Sequence, residues 1–361
     1  MPWNKFITTL FTLMSTLSWA NLPELLTKQS IRNIRYFSED AKFTYFQKLS
    51  GELILSTNYA NISLLKGDAE SRFIMSGTHH RKNLIIEHYE NYFKNNRMRK
   101  TAKIYVTAFG KSDVRFIAEG INAKLHLDDT WISYYVPHLK KLYWKSLIAS
   151  QSYSVTLLST GNDYFIPEIV MPSSRHIIYS DFSKEGYATL YILNPLAEAQ
   201  KKLEQINPDE VARSQIFYKA SHKNTKLELC LLKDKIIAGE LGIDDNLKGS
   251  SIFSFPVETL NSKEKNILYS SKLNDLGHLI CEEKDHKIYF IKSISQELKL
   301  PLVQTDVARL DPVTKQVEIL SHLGSLTQLI FIDGKIITPY RGKLLIVKGT
   351  SFKDDQLGTT L

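Results

Sequence analysis

HLDDTWISYY, residues 126–135, sets two aspartates directly before an alternating, aromatic-rich run, and a similar phrase, FSEDAKFTYF, stands at residues 37–46. Aligning Asp40 with Asp129 also aligns Phe43 with Ile132 and Tyr45 with Tyr134. The shared phrase is a polar turn followed by apolar residues at alternate positions. Aspartate, asparagine, serine and glycine suit tight turns through local hydrogen bonds or access to positive φ. Asp128 and Asp129 therefore read as turn residues between two strands, and not as a catalytic carboxylate pair.

The same grammar recurs around Leu84 (HRKNLIIEH), Ile177 (SSRHIIYS), Ile236 (LKDKIIAG), Leu279 (DLGHLICE) and Ile336 (IDGKIITP). With Phe43 and Ile132 these give seven anchors, at successive intervals of 41, 48, 45, 59, 43 and 57 residues. A repeat of about 40–50 residues is the length of a four-stranded propeller blade, and the two longer intervals imply loop insertions. Between the anchors lie short bursts of period-two alternation, such as KIYVTAFG from Lys103, KLYWKSL from Lys141, TLYILN from Thr189 and KIYFIKSI from Lys287. This pattern predicts an all-β chain, a β-propeller of seven blades with about four antiparallel strands each.

The run from Lys103 to Tyr135, KIYVTAFGKSDVRFIAEGINAKLHLDDTWISYY, resembles the TolB-like propeller repeat, itself similar to WD-type repeats. In that repeat an IYV strand leads through a glycine-containing turn to an SPDGxxIAY phrase. Here His126, Leu127, Asp128, Asp129 and Thr130 stand in place of the usual serine, proline, aspartate and glycine pattern. The resemblance extends over residues 33–350 as a repeat pattern, with about two copies matching well. It implies a propeller and carries over no functional residue.

A propeller must close, because an open ring leaves strand edges exposed. The last anchor is followed only by YRGKLLIVKG, so the final blade is expected to be one strand short, with IRNIRYF near the N-terminus helping to complete the ring. LPELLTKQ, before it, is expected to form a short helix capping one end.

The chain has 361 residues, 43% hydrophobic and 23% charged, which is enough apolar content for a substantial core. Residues 1–20, MPWNKFITTLFTLMSTLSWA, combine Lys5, an apolar run from Phe6 to Leu17, and small residues Ser18 and Ala20 at signal-peptidase spacing. They predict a signal peptide, a propeller domain over residues 21–350 and a flexible tail over 351–361. No cysteine follows the cleavage point and no later stretch is apolar enough to span a bilayer, so the expected location is periplasmic or secreted. The formal charge is +8, and loss of Lys5 leaves +7. In an exported monomer such a surface fits a cell-envelope protein or an anionic envelope polymer, and not nucleic acid.

Cys230 and Cys281 are the two cysteines. They lie in strand-like segments of successive repeats, so they suit either a disulfide or two buried thiols. Neither has a second cysteine at zinc-ligand spacing. The pair His79 and His80 would point to opposite sides of a strand, and Asp244 and Asp245 fit a turn. No G-x-S-x-G, HExxH, phosphate-loop or EF-hand pattern occurs, and no cofactor is expected.

Two binding candidates follow. The loop YFKNNRMRKTAK, residues 92–103, gathers Lys94, Arg97, Arg99, Lys100 and Lys103 beside Tyr92 and Phe93, as docking on a polyanion or acidic protein would require. The alternative is a solvated hairpin whose charges keep an edge from pairing. The second candidate is the axial channel, lined by the strand that precedes each turn motif. Its expected polar members include Arg32, Asn33, Arg72, Asn122, Lys124, Glu168 and Gln328, with Glu168 and His126 as an acid/base alternative. The leading reading is a non-enzymatic scaffold, and the alternatives are an enzyme on carbohydrate or peptide and a small-molecule or metal sensor.

Overall fold

A computed structural model describes residues 31–37, 43–57, 59–77, 82–90, 101–157, 166–173, 176–183, 185–194, 215–223, 225–242, 249–257, 265–272, 276–283, 285–293, 304–324, 330–332, 335–340 and 343–347. The expected signal peptide, capping helix and tail, together with His79, His80, Asp244, Asp245 and Gln328, lie outside these residues. The chain divides into two compact units. One comprises residues 1–121, 332–334 and 361, and the other residues 122–331 and 335–360.

Every sheet is a meander in which strands neighbour one another in chain order. The first contains β1 (Ile31–Phe37), β2 (Phe43–Lys48), β3 (Leu53–Thr57) and β4 (Asn61–Leu65). A seven-stranded sheet follows, from β5 (Arg72–Gly77), β6 (Asn83–Tyr89), β7 (Ala102–Ala108) and β8 (Val114–His126) to β9 (Trp131–Val136), β10 (Lys141–Ser146) and β11 (Ser152–Thr156). Next come β12 (Ile169–Ser173), β13 (His176–Phe182), β14 (Tyr187–Leu193) and β15 (Gln215–Lys223). The fourth sheet is β16 (Thr225–Leu232), β17 (Lys235–Gly242), β18 (Ser250–Pro256) and β19 (Asn266–Ser271). The fifth is β20 (Leu276–Glu282), β21 (Lys287–Ser293), β22 (Gln304–Leu310) and β23 (Val317–Gly324), and β24 (Ile330–Ile332), β25 (Lys335–Tyr340) and β26 (Lys343–Val347) form a sixth, three-stranded sheet.

The seven-stranded sheet is two four-stranded meanders sharing β8. The first part of this 13-residue strand pairs with β7, from Thr107↔Val114 to Ala102↔Gly120, and the two compact units divide between Ile121 and Asn122. Asn122 adopts φ 54°, a left-handed conformation that asparagine tolerates better than most residues. Counted this way, the sheets are consistent with seven blades. The last has three described strands, and IRNIRYF is the first strand of the first sheet, paired with β2.

Burial follows strand position. Second strands are covered on both faces, so β6, β9 and β13 are buried almost without interruption. Outer strands β11, β15 and β19 alternate or face water. Within the second unit, one face of the β16–β19 sheet puts Ile236, Ala238, Phe253 and Phe255 against Ile178, Leu190 and Phe217 of the sheet before it. The other face puts Ile237, Leu241 and Ile252 against Leu279, Ile288 and Phe290 of the sheet after it. Face-to-face stacking of this kind gives each sheet two apolar faces to bury, which is why the alternate-residue grammar repeats.

The turn reading of HLDDT holds at the backbone. Leu127, Asp128 and Asp129 take φ values of 49°, 55° and 62°, and the Thr130 N–H donates to Leu127 O at 3.1 Å. Asp128 is exposed, whereas Asp129 is buried. One anchor is corrected. Leu279 lies on β20, a first strand, and the second strand of that sheet is β21. DLGHLICE and KIYFIKS both carry inward apolar residues because both lie inside stacked sheets, so the pattern alone does not separate them. With Ile288 as the anchor, the last two intervals become 52 and 48 residues.

Candidate functional site

In the second unit, polar residues cluster where first strands begin. The second half of β8 alternates, with Ile121, Ala123 and Leu125 buried and Asn122, Lys124 and His126 on the other face. Asn122 Nδ2 donates to Pro167 O at 2.9 Å, and the Lys124 ammonium pairs with the Glu168 carboxylate. The backbone of Glu168 is fixed on both sides by Ser180 on β13. Glu168 N–H donates to Ser180 Oγ at 2.8 Å, and Ser180 N–H donates to Glu168 O at 2.9 Å. The sequence thus brings together three of its expected channel residues, Asn122, Lys124 and Glu168.

The cluster continues onto residues that the sequence analysis did not single out. On β16, Lys226 Nζ donates to Glu228 Oε1 at 2.8 Å. The other oxygen of Glu228, which is buried, accepts the backbone N–H of Leu279 on β20 at 2.7 Å. Burial pulls the Lys226 ammonium down, but Glu228 and Glu168 outweigh it and hold its pKa above the ordinary lysine value. Lys124, Glu168, Lys226 and Glu228 therefore alternate in sign across the second half of β8 and the starts of β12 and β16.

Beside this row, Cys230 on β16 and Cys281 on β20 form a disulfide, with Cα atoms 5.6 Å apart. The signal for β16 was present, since TKLELCLL directly precedes the turn motif LKDKIIAG. For β20 it was hidden by the misplaced anchor.

The acid/base alternative is not assembled. Glu168 is held by Lys124, whereas His126 Nε2 lies 2.7 Å from Ser133 Oγ on β9. His126 keeps some surface, but protein packs around its ring. This enclosure, with a smaller contribution from the Lys124 charge, pushes the imidazole down to about 3, so it is neutral at physiological pH. Ser133 is fully buried and out of reach of a substrate.

The remaining expected residues are dispersed. Arg72 is half-buried on β5 in the first unit, and Arg32 lies on β1 with its side chain outside the described residues. Lys94, Arg97, Arg99 and Lys100 also lie outside the described residues. Lys103, on β7, is paired with Glu90 at 2.6 Å, and that hydrogen bond holds its ammonium above the ordinary range. Among the described residues, no group of three or more histidine, cysteine, aspartate or glutamate side chains is placed to hold a metal ion, and no helix is long and apolar enough to cross a membrane.

No protein-family model matches the chain, and no curated protein matches it by sequence. Solved structures do. The β-propeller domain of Myceliophteria thermophila Cps50 (Swd1) matches with a TM-score of 0.52 at 10% identity, over 89% of this chain and 98% of that one. The fold is a β-propeller. The tricorn protease matches with a TM-score of 0.50 at 11% identity over 88% of this chain, which spans 34% of the length of that protein. TolB from Acinetobacter baumannii matches at 10% identity and a TM-score of 0.44, over 81% of this chain and 64% of that one, and no conclusion rests on it. At such identities the likeness concerns architecture, and function has to be argued from the residues of this propeller.

Proposed function

We propose that this propeller is an exported, non-enzymatic scaffold of the cell envelope, which binds a partner protein or an anionic polymer. The observation that carries the reading is the mutual neutralisation of the charges on the first strands. Lys124 is paired with Glu168, Lys226 with Glu228, and Glu228 also with the Leu279 backbone. Catalytic acids and bases need groups poised to exchange protons with a substrate. Here Lys124–Glu168 and Glu228–Leu279 link neighbouring elements instead, and Lys226 is held by Glu228 on its own strand.

Export is supported by the signal-like segment 1–20, and a cysteine pair at bonding distance suits an oxidising compartment. On this reading residues 21–350 are the mature propeller and 351–361 its tail. The net charge of +7 after removal of residues 1–20 favours acidic partners.

The test is photo-crosslinking in the native envelope, with fractionation and N-terminal sequencing of the mature chain. The expected result is a periplasmic chain starting at Asn21 and crosslinked to an envelope component. A chain that keeps Met1 in the cytoplasm, or turnover of an envelope glycan or peptide by the purified protein, overturns the proposal.

A further inference from the structure

Within the second unit, the strands of each meander alternate in direction. The turn between second and third strands therefore lies at the same end of its sheet as the start of the first strand and the finish of the fourth. These ends coincide from sheet to sheet. Asn122 Nδ2 reaches Pro167 O at 2.9 Å, Lys124 pairs with Glu168, the Glu168 charge acts on Lys226, and Glu228 accepts the Leu279 N–H. One end of the unit is thus built from the β9–β10 turn, the approach to β12, and the chain passing from β15 to β16 and from β19 to β20.

This end carries cations without carboxylate partners. Lys140 is exposed on the β9–β10 turn, Lys141 is half-buried beside it, Lys223 is exposed at the finish of β15, and Lys272 is exposed just after β19. None of the four is in an ion pair, although Lys223 lies over the Tyr187 ring at 5.6 Å. The described carboxylates at the same end are engaged or enclosed. Glu168, Glu185 and Glu228 pair with Lys124, Lys219 and Lys226, and Asp181, Glu240 and Asp306 are buried. Two apolar side chains stand among the cations, Leu139 at 47% exposure and Ile166 at 41%. Leu139 is presented by a closed turn, in which Lys140 N–H donates to Pro137 O at 3.1 Å and Leu157 N–H to Lys140 O at 2.8 Å.

The opposite end differs in charge and not in apolar content. Ile148 and Val313 are more exposed there, but the Ile148 turn is bonded to HLDDT, through Leu147 N–H and Thr130 O at 2.8 Å, and Val313 N–H donates to Asp311. Asp128, Asp234, Asp285 and Asp311 stand among Lys233, Lys235, Lys287 and Lys315 at that end. Such a mixed surface gains little from an anionic one. The end with unpaired lysines selects its partner more closely. A soluble polyanion would use the lysines alone, whereas exposed leucine and isoleucine beside unpaired cations match the headgroup boundary of an anionic bilayer, where both kinds of group are stabilised.

We propose that the end of the second unit carrying Leu139, Lys140, Lys141, Ile166, Lys223 and Lys272 docks on an anionic lipid bilayer. The lysines lie over headgroup phosphates, and Leu139 and Ile166 enter the boundary with the acyl chains. The inference rests on the envelope reading above, which brings the chain to a bilayer, and names the lipid chemistry of that contact.

The test sediments residues 21–361 with phosphatidylcholine vesicles, with and without one-third phosphatidylglycerol, at low and physiological salt. Binding is expected to be at least tenfold tighter to the anionic vesicles and to weaken with salt. Lys140→Glu, Lys223→Glu and Lys272→Glu together should reduce it to the level on phosphatidylcholine alone. The matching triple variant of the opposite end, Lys233→Glu, Lys235→Glu and Lys315→Glu, changes the net charge equally and should bind nearly as wild type does. Leu139→Ser with Ile166→Ser keeps every charge and should lose vesicle binding several-fold, most visibly at physiological salt, while leaving retention on a soluble polyphosphate unchanged. Equal losses in the two triple variants, or vesicle binding indifferent to Leu139 and Ile166, overturns the proposal.

If wild type does not distinguish the two vesicle types but still crosslinks to an envelope component, the lipid inference falls and the envelope reading stands. If it binds anionic vesicles as expected but keeps Met1 in the cytoplasm, the lipid surface stands and the envelope reading falls.

Discussion

Cys230 on β16 and Cys281 on β20 tie together the first strands of two consecutive four-stranded sheets, closing a loop of 51 residues. A crosslink over a loop of this length restricts the unfolded chain and is worth about 4 kcal/mol on the chain-entropy estimate. The double variant Cys230→Ala with Cys281→Ala is expected to melt several degrees lower than wild type, and a reductant should lower the wild type alone. Calorimetry with and without reductant checks this. Equal melting temperatures would show that the disulfide contributes nothing to stability.

The same two strands are joined by the hydrogen bond from Leu279 N–H to Glu228. Glu228→Ala leaves that buried donor without its acceptor and Lys226 without its partner, a loss of about 1–3 kcal/mol. Glu228→Gln keeps a carbonyl oxygen for Leu279 and should lose less. Because the disulfide holds the same pair of strands, the two losses are expected to be non-additive in a double-mutant cycle measured by chemical denaturation. Simple additivity would mean that the two braces act independently.

The repeat was legible because propeller sheets are covered on both faces, and second strands such as those of Ile132 and Ile236 inherit a fixed turn and a fixed alternation. The charged row was only partly legible. Lys124 and Glu168 stand in segments recognisable as first strands, but their pairing depends on the approach of two strands 44 residues apart in the chain. Lys226 and Glu228 escaped notice because β16 looks, residue by residue, like any other buried strand, whereas Cys230 and Cys281 stood out by residue type. The burial of Asp129 was also hidden, since turn chemistry specifies the backbone of a corner and not what packs over it.

Asp128 and Asp129 separate these two levels experimentally. Both have positive φ, but only Asp129 is buried. Asp128→Gly relieves a left-handed residue and should change stability by less than about 1 kcal/mol, whereas Asp128→Val should destabilise by roughly 1–2 kcal/mol. Asp129→Ala removes a buried, partnered carboxylate and should destabilise by about 1–3 kcal/mol, despite sitting in the same turn. Urea titration of the three variants gives the comparison, and equal losses for the two aspartates would refute the division of roles.

His126 gives the fold an acid sensitivity of predictable sign. Its folded pKa, about 3, is below the ordinary histidine value, so between these two values the unfolded chain binds the additional proton. Its contribution is fully present above about pH 6.5 and is lost as the pH falls towards 3. Asp311 acts lower. Hydrogen bonding from Lys287, and from the Thr314 and Val313 backbone, holds its carboxyl at about 2, so its contribution is present above the ordinary aspartate value and disappears as the pH falls through 2. His126→Gln should therefore flatten the melting-temperature profile between about pH 6 and 3 and leave the limb below pH 3 unchanged. A profile identical to wild type would remove His126 as the source of the upper limb.

The basic loop provides the test of envelope association. Lys103 is neutralised by Glu90, so attraction to an acidic partner must come from Lys94, Arg97, Arg99 and Lys100 if it comes from this loop, and Arg97, Arg99 and Lys100 are the three that stand together in the sequence. Surface charges of this kind act mainly through long-range attraction and contribute little to folding. Reversing all three to glutamate should weaken recovery of the protein with envelope fractions several-fold, most clearly at low salt, and leave the melting temperature within about one degree. Lys103→Glu alone opposes two carboxylates locally and should have the smaller effect on association. Unchanged recovery in the triple variant, at both low and physiological salt, removes the loop as a docking element and leaves the rest of the surface to account for binding.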